Sequence, residues 1–270
     1  MARKSKDWTD MKLKARLQQG RGQGDEDYQP WLKVSDLPSR GRVTRLYSRK
    51  MDRTIHLLSD MQTMYYYSLE FDERVLFVKE QYPLLDVANN VLNMDEMLLK
   101  RLQSSDGTPH VIVTTFLITA TDENGKEYNY ARSLKVKSEL EKKATLERLE
   151  IQRRYYTNLG IDWAIVTEDE INYTRGRNIE WVLPAFDIQD YGMSDAEVED
   201  YGLALIDFLF NSSMDPLNDI FISFERMNRL DAGTGLLLFR YLIASKQIRI
   251  NMDSKIDLNN APTKIGLTVR

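Results

Sequence analysis

The chain has 270 residues, with 37 Lys/Arg against 41 Asp/Glu for a net charge of −4, two histidines and no cysteine. Without cysteine there is no disulfide, thiolate zinc site or cysteine nucleophile, and His56 and His110 alone make no histidine-rich metal site. Apolar runs fall short of the ~20 residues a membrane span needs; the best, Gly235–Ala244, is interrupted by Arg240.

This composition suits one large domain or two modest ones in a reducing cytoplasm, and the charged opening from Arg3 onward predicts no signal peptide. Charge is unevenly spread: residues 1–58 carry 14 Lys/Arg against 7 Asp/Glu, on an otherwise acidic body. A basic arm of that kind suits contact with DNA phosphates, and Arg21, Arg42 and Arg45 are its candidate DNA-binding side chains, with Lys135 further along the chain as a fourth.

In chain order, Asp7–Gln19 spaces Met11, Leu13 and Leu17 as an amphipathic helix that ends at Gly20. Gly20-Arg21-Gly22-Gln23-Gly24 predicts a flexible loop able to approach a phosphate backbone; it lacks the strand–loop–helix context and lysine of a P-loop. Arg40–Ser48 and Thr54–Leu58 predict a basic hairpin. Ser59 and Gln62 have the S-x-x-Q spacing of a capping box and open a helix to about Glu70, whose Tyr65, Tyr66 and Tyr67 suit packing. Val75–Lys79 predicts a short strand, Asp86–Gln103 a helix and Ser104–Pro109 a turn-rich loop.

The centre of the chain is a hairpin. Val111–Thr119 is β-branched and apolar, Asn124-Gly125 favours a tight turn, and Glu127–Val136 alternates before Lys135-Val136-Lys137. A two-residue turn pairs Thr114 with Lys135; a three-residue loop puts Thr115 on the lysine face instead. A long helix, Ser138–Leu159, follows, with Gly160 as its stop, then a strand at Trp163–Thr167. Strands alternating with helices define an α/β domain over residues 1–172.

From about Ile171–Arg177 the pattern changes. Ser194-Asp195-Ala196-Glu197 is a second capping box, Asp215-Pro216 starts another helix and Thr234–Ser245 is a third. Ile248–Asn251, a turn at Asp253-Ser254, and Lys255–Leu258 predict a closing hairpin. Residues 173–270 therefore read as a winged-helix-like domain, with a plain helical bundle as the alternative.

Several segments together resemble the TnsA family, the endonuclease subunit of heteromeric bacterial transposases. They are Arg16–Gly24, Tyr28 with Pro30-Trp31-Leu32, Arg45–Ser48, His56–Asp60, Ser68-Leu69-Glu70, Glu80–Leu85, Leu146–Tyr155, Ile161-Asp162-Trp163, Thr167–Asn172 and Asn178–Trp181. The resemblance implies a restriction-endonuclease-like first domain, a magnesium-dependent cut at the 5′ transposon ends, and a second domain that engages DNA and partners. The implied partners are a TnsB-like transposase and a TnsC-like ATPase regulator.

It also implies where the catalytic and metal-binding residues stand. The family's Glu falls at Gln62, its Asp at Thr115, and its Gln-x-Lys at Lys135-Val136-Lys137, so only Lys137 is kept and both carboxylates are replaced. An amide, a hydroxyl and an added cation supply no charge to hold magnesium. The sequence thus predicts a DNA-binding assembly subunit with weak or absent cleavage. The alternatives are a magnesium-dependent endonuclease using a relocated acid (Asp60, Glu70 or Glu127) and a stand-alone DNA-binding regulator.

Overall fold

The computed structural model describes residues 10–36, 42–91, 94–103 and 109–270. The start of the expected first helix (7–9), the start of the expected basic hairpin (40–41) and most of the expected loop (104–108) lie outside them. The chain divides into two compact units, residues 1–171 and 172–270.

The first unit is built on a mixed sheet of order β3-β4-β5-β6, formed by Val75–Leu84, Ile112–Thr121, Glu127–Leu134 and Asp162–Val166. The first three strands are antiparallel; β6 runs parallel to β5. A parallel neighbour requires a crossover, and α6 (Lys143–Asn158) supplies it. Its Ile151, Tyr155 and Tyr156 join Leu84, Val87, Ile112 and Ala131 in one buried cluster. Helix α2 (Asp60–Phe71) buries Met61, Met64, Tyr66, Tyr67 and Leu69, and both Tyr65 and Tyr66 pack on the Phe116 ring of β4. A separate hairpin, β1 (Thr44–Ser48) with β2 (Arg53–Leu57), precedes α2.

Several elements depart from the sequence pattern. The first strand of the sheet does not stop at Lys79. It continues through Pro83 because β3 is an edge strand, where the missing N–H breaks no ladder. Among the described residues the expected helix at 86–103 is replaced by short turns, α3 (Val87–Asn90), α4 (Glu96–Leu99) and a 3-10 turn at Lys100–Leu102, with α4 capped by Asp95 accepting from Leu98 N–H. The long helix after β5 is interrupted: α5 (Lys137–Leu140) is separated from α6 by an extended Lys142, and nothing in the structure explains the break. Three residues, Glu123-Asn124-Gly125, close the β4–β5 hairpin. Asp122 Oδ1 accepts the Asn124 and Lys126 N–H groups, and Gly125 sits at φ +77.

Residues 19–36, expected in part to be a flexible arm, form instead an ordered strap after α1 (Asp10–Gln18). Trp31 and Tyr28 are nearly fully buried. The Tyr28 hydroxyl donates to Glu80 O at 2.9 Å, and Trp31 N–H donates to Gln81 O at 3.2 Å. Gly22 is left-handed, and a Cβ there would lie 2.2 Å from Pro83 Cγ. Gly22→Ala should therefore destabilise the first unit by about 2 kcal/mol or more, measured by urea unfolding; an unchanged midpoint would mean the strap is not packed on β3.

The second unit comprises α7 (Tyr173–Val182), α8 (Asp195–Asn211), α9 (Leu217–Asn228) and α10 (Thr234–Ala244), with a minimal pairing of β7 (Ile248–Arg249) and β8 (Thr268–Val269). Both halves of the Ser194–Glu197 capping box form. In α9 the cap is Pro216 itself rather than Asp215. The expected wing is not there: 248–249 pair with 268–269, not with 255–258. The reason is competition for the backbone between them. The Asn178 side chain takes the Met252 and Ser254 carbonyls, while Leu258 O and Asn260 O accept the Asn218 and Leu217 N–H groups at the start of α9. The unit is helical, and the winged-helix assignment is not supported.

Candidate functional site

The candidate site lies where β3, β4 and β5 meet the start of α2. Ser59 caps α2 by accepting Gln62 N–H at 3.2 Å. The Gln62 side chain does not complete the expected box; its Oε1 reaches past the cap to accept Leu58 N–H at 2.8 Å. The same oxygen accepts the Gln81 amide at 3.0 Å.

Gln81 has φ +50 and is buried in β3. An L-residue is strained in that region, and such strain is held only by its surroundings. Here the surroundings are explicit: Trp31 N–H holds the Gln81 carbonyl from one side. Its neighbour Glu80 is clamped on the other, with the fully buried carboxylate accepting both Arg53 terminal nitrogens at 2.9 and 2.7 Å and His56 N–H at 3.1 Å. Burial pushes the Glu80 carboxyl above its ordinary value, against the pull of Arg53. His56 Nδ1 accepts Val34 N–H, and burial together with Lys33, Arg45 and Arg53 lowers the imidazole pKa. That neutral ring ties the strap to β2.

Across the ladder from Gln81 stands Thr115, between the pairs Glu80↔Phe116 and Tyr82↔Thr114. Thr115 is about 6% exposed, and its hydroxyl oxygen accepts Leu134 N–H at 3.0 Å. This bond marks where the β4–β5 pairing, regular from Thr121↔Glu127 to Phe116↔Arg132, ends. Lys135 follows directly, half-buried, with its N–H on Val166 O. The structure thus brings Gln62, Gln81, Thr115 and the Lys135 backbone into one row.

Lys137 is not in that row. β5 stops at Leu134 rather than Val136, and Lys137 is the first residue of α5. Its ammonium pairs with Asp169 at the surface, and its N–H bonds to Glu168. The Asp169 hydrogen bond raises the Lys137 pKa.

The acids considered as replacements lie apart. Glu70, near the far end of α2, accepts from Ser48, Tyr66 and Lys50; Glu127 is at the turn end of β5; Asp60 lies 3.7 Å from Arg42. Among the described residues no group of three His, Asp or Glu side chains is placed to hold a metal. Gln62 and Thr115 are neutral, and each already accepts backbone hydrogen bonds. Magnesium wants hard, usually anionic oxygen ligands, so this donor set does not suit it.

The strap also reassigns Arg21. Its guanidinium is 2.5 Å from Asp36 and 3.3 Å from Trp31 O, and Arg16 shares Asp36 at 3.1 Å. Burial alone would raise the Asp36 carboxyl; Lys33 N–H, Arg21 and Arg16 outweigh it and hold it below its ordinary value. Arg21 is a structural side chain. Arg42 and Arg45 remain exposed, Arg45 on the β1–β2 hairpin opposite His56. Sequence reasoning missed Gln81, Glu80, Arg53 and the Tyr28/Trp31 anchors as parts of the site. Only the Gln81-Tyr82-Pro83 run, an unusual way to continue a strand, hinted at a distortion.

A four-stranded mixed sheet backed by α6, with a splayed hairpin end beside a helix N-terminus, is consistent with an endonuclease-like first domain. A family model described as TnsA-like endonuclease N terminal matches residues 72–168, and one described as TnsA endonuclease C terminal matches residues 170–252. The first contains Thr115, Lys135 and Lys137 but begins after Gln62. The Escherichia coli protein named Transposon Tn7 transposition protein TnsA is 37% identical over 183 residues, covering 67% of this chain and 66% of that relative, just under two-thirds of its length. The chain belongs to the TnsA family.

Proposed function

We propose that this chain is a TnsA-type subunit that holds transposon-end DNA and assembles with a TnsB-like transposase and a TnsC-like ATPase regulator in the bacterial cytoplasm, while making few or no 5′-end cuts. The observation that carries the second half is the pair of neutral side chains, Gln62 and Thr115, at positions where the family resemblance implies carboxylates. Family membership supports the first half. No helix among the described residues is long and apolar enough to cross a membrane. In the assembly, the partner makes the 3′ cuts and joins, and this subunit contributes binding and architecture.

The test is co-assembly: the chain, a TnsB-like partner and a duplex transposon end should form one complex on a native gel that neither protein forms alone. Two separate complexes whose mobilities do not combine would count against the reading.

Arg42 and Arg45 serve DNA through phosphates. Each Arg→Ala change should weaken binding similarly for all sequences and reduce the slope of log K against log salt by about 1, read by fluorescence anisotropy from low to high salt. Arg21→Ala should instead lower stability and leave the slope alone. A slope that responds to Arg21 but not to Arg42 or Arg45 would reverse the assignment.

A further inference from the structure

Resting on the proposed function, we infer that the Gln62–Thr115–Lys135 row is a metal-free anion site that binds one backbone phosphodiester of the transposon end directly.

The argument is about which way the polar groups face. Leu58 N–H donates to Gln62 Oε1, and a backbone donor of that kind fixes the orientation of the amide. The Gln81 amide donates to the same oxygen. Gln62 Nε2 is then the outward group, and it bonds to no acceptor among the described residues. Thr115 repeats the pattern. Its oxygen accepts Leu134 N–H, which leaves the hydroxyl hydrogen to be donated, and no acceptor among the described residues takes it. Lys135 adds an ammonium with no ion pair among the described residues, unlike Lys137, which Asp169 occupies.

The Gln62 amide N–H and the Thr115 hydroxyl stand in the row, and Lys135, whose backbone ends it, carries an ammonium, so the site offers three donors and no carboxylate. In a carboxylate site, a metal ion bridges protein oxygens to phosphate oxygen. Replacing the carboxylates by donors reverses the sign of the site, so the phosphate oxygens become the direct ligands. The added Lys135, which repels a cation, then fits its anion. The left-handed Gln81 contributes as a positioning residue: its amide and Leu58 N–H saturate Gln62 Oε1 and keep Nε2 outward.

The experiment measures affinity for a labelled transposon-end duplex in EDTA and in magnesium, using the full chain. Unaltered protein should bind equally well in both. Lys135→Gln and Gln62→Met should each weaken binding in EDTA several-fold, about tenfold when combined, because charge-assisted hydrogen bonds are being lost. Single methylphosphonates are then placed at successive linkages of the 5′-end strand. One linkage should cost the unaltered chain several-fold in affinity and cost the Lys135→Gln variant nothing.

If no linkage shows that coupling, the anion site is wrong, while the assembly reading stands as long as the chain neither cuts nor fails to bind. If the unaltered chain loses DNA affinity in EDTA, the inference falls because a metal is required. If it also cuts in magnesium, the reading beneath it falls too. Gln81→Glu provides a positioning control: its carboxylate cannot donate to Gln62 Oε1, so it should abolish the same linkage-specific coupling with the fold intact by circular dichroism, and retention of the coupling would overturn the role of Gln81.

Discussion

The double change Gln62→Glu with Thr115→Asp should create magnesium binding and, with the TnsB-like partner present, raise 5′-end cutting well above that of the unaltered chain. The expected effect is large because it is a change of charge and not of shape. Gln62→Glu is isosteric and Thr115→Asp is close in volume, so the row of Gln62, Gln81, Thr115 and the Lys135 backbone stays in place. Two carboxylates then offset the charge of the ion and leave positions in its shell for water and a phosphate oxygen. The Glu introduced at position 62 would accept from both Leu58 N–H and the Gln81 amide, donors already aimed at that point; hydrogen bonds to the charged form favour it. Each single change should do far less than half, since residues of one metal site act as a unit. Lys135→Gln in the doubly changed chain should raise activity further by removing a repelling cation. Calorimetric titration with magnesium separates binding from cutting. A doubly changed chain that folds, binds DNA and takes up no magnesium would show that the geometry at β3–β5, and not only the charge, has departed from a metal site.

The second large effect concerns the clamp behind the site. Arg53→Met should destabilise the first unit by about 3–5 kcal/mol, because it strands a buried carboxylate. Glu80 has no exposure, and after Arg53 leaves, its remaining donor in the clamp is His56 N–H. The penalty should depend on pH. Burial already raises the Glu80 carboxyl above its ordinary value of 4.5, and loss of Arg53 raises it further. A raised carboxyl costs nothing at acid pH, where it is protonated in folded and unfolded chains alike, and costs progressively more as pH rises from about 4.5 through the folded value. Adding Glu80→Gln should recover most of the loss, and the recovery measures the coupling between the two. Denaturant unfolding of the single and double variants at acid and neutral pH decides it. Equal stability of Arg53→Met at both pH values would mean that Glu80 reaches solvent.

Local chemistry was legible in the sequence wherever a short segment determines its own backbone. The Ser59 cap, the Ser194–Glu197 box, the Asn124-Gly125 turn and Gly160 (φ +67) are of this kind. That Gln62 and Thr115 stand where the family resemblance implies carboxylates is a reading taken from the neighbouring motifs, not from their own surroundings. What could not be read depends on long separations in sequence. Arg21 looked like a free cation in a glycine loop, and becomes structural only because Asp36 and Trp31 fold back over it. Gln81 has no local reason to be left-handed; the strap, Arg53 and Glu80 impose it. The wing failed for a related reason. Residues 248–258 carry a reasonable hairpin pattern, but Asn178 and the first N–H groups of α9 compete successfully for the carbonyls of that segment. Lys137 was read as the end of a strand, and the Lys135 N–H bond to Val166 O with the turn into α5 moves it out of the row.

The measurement that bears most directly on the account is strand-resolved cutting of a transposon end carrying separate labels on its two strands, with the unaltered chain, the TnsB-like partner and magnesium present. The account predicts 3′-end cuts at the partner's full rate, dependent on this chain for assembly, with 5′-end cuts at or near background. Robust 5′-end cutting by the unaltered chain, lost in Lys137→Ala or Lys135→Ala, would contradict it and place an active centre where Gln62 and Thr115 stand.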